Sequence, residues 1–143
     1  MPRPFHVQLV TPQGVRYDND AVYLRLPAED GYFGIMADHA PLIAALVPGQ
    51  VSLHRPGTPR PDLYASSGGV VEVTENQTVV LADTLETPEE IDEQRAREAA
   101  ERARDRLQAR TLPEFDESRA LGALQRALVR LQVAGKRAAG GGL

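Results

Sequence analysis

The chain changes character at Thr87. Before it, short runs rich in Val, Leu, Tyr and Phe are separated by Gly and Pro; after it, Thr87-Pro88-Glu89-Glu90-Ile91 opens a charged, Ala-rich run without glycine. A two-residue strand period and a sustained helical period cannot share one element, so such a chain folds as two modules meeting at one point. Thr87 suits an N-cap, Pro88 the first helical position, and Glu90 the acid of a capping box. The expected fold class is α+β in two modules. An antiparallel β-sandwich of about ten short strands spans residues 1–86, and an antiparallel α-helical hairpin spans residues 87–143.

With 143 residues, 42% hydrophobic and 25% charged, the chain has the composition of an ordinary globular domain with an extension. No apolar run approaches the ~20 residues of a membrane span, and the N-terminus reads as a strand rather than a signal or transit peptide. The absence of cysteine excludes disulfides, thiolate metal ligands and a Cys nucleophile. A net charge of −4 argues against nucleic acid as a partner. The charge is unevenly spread: Arg119, Arg126, Arg130, Lys136 and Arg137 follow one another with no acid between them.

In the first module, strand patterns occur at Phe5–Val10, Ala21–Leu26, Tyr32–Met36, Gln50–Arg55, Leu63–Ser66, Val70–Val73 and Thr78–Ala82. Turn signals separate them, including Thr11-Pro12-Gln13-Gly14 and the breaker cluster Pro56–Pro61. Gly68-Gly69 marks a bulge or a close backbone approach. Candidate chemistry here is thin. Asp38 beside His39 has the residue types of a base and its orienter, but adjacent side chains rarely face each other. Asp38 is better placed to cap the short Ala40–Leu46 segment. His6, His39 and His54 lack metal-ligand spacing, and no phosphate loop or nucleophile elbow is present.

In the second module, the first helix is expected from about Pro88 to Arg110. Its apolar residues are Ala96, Ala99, Ala100, Ala103 and Ala109 with Ile91 and Leu107. The pairs Glu93–Arg97 and Glu98–Arg102 have the favourable i,i+4 order. The second helix is expected from Glu117 to Arg137, with an apolar seam of Leu121, Leu124, Leu128 and Leu131. At ~100° per residue, Arg119, Arg126, Arg130 and Arg137 fall within ~40° of one another, opposite that seam. A charged stripe is usually a solvated face, but an all-Arg stripe also suits carboxylate or phosphate. So shallow an Ala face leaves only a few kcal/mol between docked and undocked arms.

Taken together, Val10-Thr11-Pro12-Gln13-Gly14, Glu29-Asp30-Gly31-Tyr32-Phe33-Gly34-Ile35, Asp38-His39-Ala40-Pro41-Leu42, Pro48-Gly49, Ser67-Gly68-Gly69-Val70-Val71-Glu72-Val73 and Val80-Leu81-Ala82-Asp83-Thr84 resemble the epsilon subunit of bacterial F-type ATP synthases. The likeness extends over essentially the whole chain. It implies a non-catalytic rotor subunit of a proton-translocating enzyme, present in single copy. Its implied partners are the gamma subunit, the c-ring and the alpha/beta catalytic head, with Tyr32 and His39 at the gamma or c-ring contact. Membrane association would come only through the complex, on the cytoplasmic face of the bacterial cell membrane. In that family the hairpin moves between a folded and an extended form, and the extended form inhibits ATP hydrolysis. Arg119, Arg126, Arg130 and Arg137 are the implied contact with the head.

No cofactor is implied as required, but some members bind ATP as a regulatory ligand. Their motif is matched by Ile91-Asp92-Glu93-Gln94-Arg95-Ala96, with Glu86 upstream and Arg126 and Arg130 on the second helix. The residues alone also allow a second reading, a freestanding protein-binding module or chaperone with a β body and helical arms.

Overall fold

A computed structural model describes the backbone of residues 2–109 and 117–138, and the side chains of all of these except 137 and 138. Ten strands form two five-stranded sheets. They are β1 (Phe5–Thr11), β2 (Gly14–Ala21), β3 (Tyr23–Ala28), β4 (Gly31–Ile35), β5 (Leu42–Leu46), β6 (Gly49–His54), β7 (Asp62–Ser66), β8 (Gly69–Thr74), β9 (Gln77–Ala82) and β10 (Leu85–Glu86). One sheet has the order β2-β1-β9-β8-β5 and the other β10-β7-β6-β3-β4. Among the described residues, β1–β9 is the one parallel pairing. Alternate residues of both sheets meet in one core, including Val7, Leu9, Leu24, Leu26, Ile35, Val51, Leu53, Val71 and Val80.

The seven strand runs legible in the sequence are all present, and three more strands complete the ten. β2 is almost wholly exposed, with only Ala21 buried, so it carries no alternation to read. β5 corrects the expectation of a capped segment at Ala40–Leu46. Residues Leu42–Leu46 pair antiparallel with β8, so pairing across the sheet overrides the helical propensity of the alanines. Asp38 caps nothing there. It lies at φ 66°, its N–H donates to Asn76 Oδ1 at 2.5 Å, and its carboxylate accepts from Asn76 Nδ2 and from Arg3. Gly69 is a close approach, as expected: a Cβ there would sit 2.0 Å from the Leu81 carbonyl oxygen.

The helical module does not begin where the capping box stands. Pro88–Glu90 is a single 3-10 turn, in which the Thr87 N–H donates to Glu90 Oε1 at 3.0 Å. Ile91 is extended, and the first long helix, α1 (Glu93–Gln108), starts from a second cap, with Asp92 accepting from the Arg95 N–H at 3.1 Å. α2 spans Glu117–Ala138. The expected end of the first helix at Arg110, the turn 111–116 and the tail 139–143 lie outside the described residues. Arg97 pairs with Glu93 as expected, while Glu98 accepts from Gln94.

α1 and α2 pack together through small residues. Ala96, Ala100 and Ala103 are buried on α1, and Ala120 and Ala127 on α2. The Leu seam is not the buried face of α2: Leu121 is 44% and Leu128 40% exposed. Small side chains let the two helices approach closely, so the alanines take the contact, Leu121 and Leu128 are exposed, and Leu124 and Leu131 are half-buried.

The arm lies folded against the second sheet. Val129, Val133 and Ala134 of α2 enclose Ile91 and Ala65 of β7 in a small cluster separate from the main core. Burying Ile91 and Val133 contributes roughly 3–6 kcal/mol before the cost of ordering the arm. Beneath the same helix the outer face of β6 is polar. Val51 and Leu53 point into the sandwich, and Gln50 and Ser52 point the other way. Gln50 donates to Ser52 Oγ at 3.1 Å and accepts from Lys136 Nζ at 2.5 Å. This double covering explains why β6 is buried at every position but its last.

Candidate functional site

The folded arm closes a polar cleft of about 470 Å³ between the sandwich and α1. It is lined by Glu86, Glu90, Asp92, Arg95, Ala96, Ala99, Arg102 and Arg130. Its position follows from local structure. Glu86 is held by pairing of β10 with β7, opposite Ala65. Glu90 is held by the 3-10 turn, and Arg95 by the first turn of α1 above the Asp92 cap. Ala96, one residue on, is 3% exposed at the helix contact, where a larger side chain has no room. Ile91 is 4% exposed in the interface cluster. Each named residue of the Ile91-Asp92-x-x-Arg95-Ala96 motif thus has a structural role, and Asp92 and Arg95 also bring charge to the cleft.

Three guanidiniums and three carboxylates line this space. Glu86 accepts from Arg130 Nε at 2.6 Å, with both side chains about 30% exposed. Glu90 accepts from the Thr87 N–H and from Arg16 of β2. The Thr87 N–H, with Arg16 second, holds the Glu90 carboxyl below its ordinary range. Among the described residues, no carboxylate pairs with Arg95 or Arg102. Two uncompensated guanidiniums two turns apart on one helix, with a third on the facing helix, form a surface suited to an anion with several oxygens.

Of the ATP-site residues expected from sequence, the cleft brings together Glu86, Asp92, Arg95, Ala96 and Arg130. Ile91 packs behind it. Arg126 does not line it and is exposed on α2. Arg102 and Glu90 were not expected there. Arg102 was within reach of helical periodicity, since it follows Arg95 by seven residues and shares its face. Of the expected head-contact residues, Arg119 and Arg126 are exposed, Arg130 is engaged with Glu86, and the Arg137 side chain lies outside the described residues.

Tyr32 and His39 lie on the sandwich, apart from the cleft. The Tyr32 hydroxyl accepts from the Gln50 N–H at 3.1 Å, and the Arg25 guanidinium lies 4.1 Å from its ring centroid. Tyr32 is 43% exposed. His39 is half-buried, with its ring Nδ1 at 2.7 Å from the Ala40 carbonyl. No helix is long and apolar enough to cross a membrane among the described residues.

A β-sandwich bearing a folded two-helix arm, with a charged cleft at their junction, defines a two-module subunit class. The chain belongs to the ATP synthase delta/epsilon family: residues 4–88 match the beta-sandwich domain of the ATP synthase delta/epsilon chain, and residues 89–135 match its long alpha-helix domain. It is 45% identical to the ATP synthase epsilon chain of Halalkalibacterium halodurans over 103 residues, covering 72% of this chain and 76% of that one. It is 44% identical to the ATP synthase epsilon chain of Bacillus licheniformis over 105 residues, covering 73% and 79%. Its fold matches a chain of the Euglena gracilis mitochondrial ATP synthase, OSCP/F1/c-ring in rotational state 1, with a TM-score of 0.79 and 21% identity over 94% of this chain and 82% of that one. A chain of the Tetrahymena thermophila mitochondrial ATP synthase central stalk and c-ring matches with a TM-score of 0.54 and 15% identity, over 95% and 97%.

Proposed function

We propose that this chain is a non-catalytic epsilon-type rotor subunit of a proton-translocating ATP synthase. Its sandwich attaches to the gamma subunit and the c-ring, and its arm restrains ATP hydrolysis and senses ATP. It works at the cytoplasmic face of the bacterial membrane, held there by the complex. The observation that carries the reading is the cleft of Glu86, Asp92, Arg95, Arg102 and Arg130, which exists only while both modules are together. A ligand in such a cleft stabilises the folded arm by its differential affinity for that form. The Arg95 and Arg102 guanidiniums suit the phosphates of ATP, and the acids suit its amine or hydroxyl groups.

The outer face of the first sheet offers the apolar surface a rotor contact needs. Ile43 is 73% and Leu81 51% exposed, and Val10 and Val70 both lie opposite Leu81 in the neighbouring strands. Titration of the full chain with ATP, read by calorimetry, tests the sensor role: saturable binding is expected, weakened about tenfold or more by Arg95→Ala. No saturable heat at millimolar nucleotide rejects it. ATPase assays of the reconstituted complex test the restraint. Replacing Arg126, Arg130 and Arg137 by Ala is expected to raise hydrolysis, and an unchanged rate rejects that role.

A further inference from the structure

The ion pair between Glu86 and Arg130 joins the two modules directly. Glu86 is the last residue of β10 and is fixed to the sandwich by β7. Arg130 stands in the second half of α2, 44 residues on, and reaches Glu86 through Nε at 2.6 Å. The side chains are 31% and 29% exposed, so both charges are partly withdrawn from water and each depends on the other. Arg130 is also the one member of the Arg119, Arg126, Arg130 stripe that the cleft takes in. Arg119 and Arg126 remain exposed in the folded arm.

We propose that Glu86 is an internal stand-in for the carboxylate of an external acidic partner, and that the Glu86–Arg130 pair is the latch of the folded arm. One guanidinium edge cannot serve Glu86 and another carboxylate together. While Arg130 is held by Glu86, the stripe offered to a partner lacks one of its members. When an acidic surface takes Arg130, the latch is broken, and the polar Lys136–Gln50 contact beside it is readily replaced by water. The identity of that surface as the catalytic head rests on the function proposed above; the latch itself does not.

The two halves of the pair make opposite predictions. Because the chain has no cysteine, Glu72→Cys on the sandwich and Ser118→Cys on α2 give two exposed labelling sites for energy transfer in the full-length chain. Glu86→Gln and Arg130→Gln are each expected to raise the ratio of undocked to docked arm roughly fivefold, the effect of one partly buried pair. In the reconstituted complex Glu86→Gln is expected to strengthen inhibition of ATP hydrolysis, since Arg130 is freed. Arg130→Gln is expected to weaken it, since the arginine is gone.

The combined Glu86→Arg, Arg130→Glu variant restores docking if the pair is a latch. An unchanged label distance in Glu86→Gln, with the sandwich folded by circular dichroism, overturns the latch. Docking shifts that appear in both variants while inhibition stays constant uphold the latch and overturn the inhibitory contact.

Discussion

Arg16 is the residue left over by a bulge, and its guanidinium pairs with Glu90, 74 residues later. In the β1–β2 ladder Leu9 faces Tyr17 and Val10 faces Val15, so Arg16 has no partner of its own. A bulge re-aims the side chain it carries. Here it ties the edge of one sheet to the turn that precedes the arm. The turn Pro88–Glu90 therefore travels with the sandwich, and the bend falls at Ile91, between the two caps.

If Arg16 anchors that turn, Arg16→Ala and Glu90→Gln will not be additive. A double-mutant cycle by urea unfolding should give a coupling of about 0.5 kcal/mol, the size of a solvent-screened pair. Full additivity would mean that the pair holds nothing.

Glu90 also sets a pH dependence. Its folded carboxyl titrates below its ordinary value of 4.5, chiefly through the Thr87 N–H and then through Arg16. A depressed carboxyl contributes stability in full above its unfolded value and loses it as pH falls through the folded one. The stability gap between wild type and Glu90→Gln should be constant from neutral pH to about 5 and close below 4.5. A gap that widens on acidification would contradict this.

Ala100 and Ala127 are each 1% exposed where the helices meet. Ala100→Leu overpacks that contact and should cost the arm about 1–3 kcal/mol. Hydrogen exchange would show faster exchange in α1 and α2, with the strands of the sandwich unchanged.

By contrast, Leu121→Ser with Leu128→Ser should cost the isolated chain only about 1 kcal/mol, because 44% and 40% of these residues already meet water in the folded arm. A drop of several kcal/mol in thermal or urea unfolding would place them in the fold's interior instead.

Gly69→Ala should cost the sandwich roughly 2–3 kcal/mol, since its φ of +157° and the Leu81 carbonyl leave no place for a Cβ. A melting temperature equal to wild type would refute this.

These residues also show what sequence pattern can carry. Strands with an apolar face, such as Phe5–Thr11 and Gln77–Ala82, announce themselves by alternation. β2 does not, because an exposed edge needs no apolar face, and its Arg16 acquires meaning only through a residue 74 positions away. Helical periodicity states which residues share a face, as Arg95 and Arg102 do, but not which face is buried. That choice depended on backbone approach: Ala120 and Ala127 are buried where α2 meets α1, while Leu121 and Leu128 are exposed and Leu124 and Leu131 only half-buried. The capping box at Thr87 was legible and forms, yet it closes one 3-10 turn, and the long helix takes its start from Asp92.

The polar outer face of β6 bears on how such a protein can change over generations. When α2 leaves, Gln50 and Ser52 meet water, and no oily surface is bared on that strand. The apolar surface that detachment bares is confined to the small cluster around Ile91, Ala65 and Val133. The strength with which the arm is held can be adjusted one side chain at a time, at Glu86, Arg130 or Lys136, while the sandwich core stays untouched. The hold on the arm can drift between lineages in this way without the sandwich having to be rebuilt.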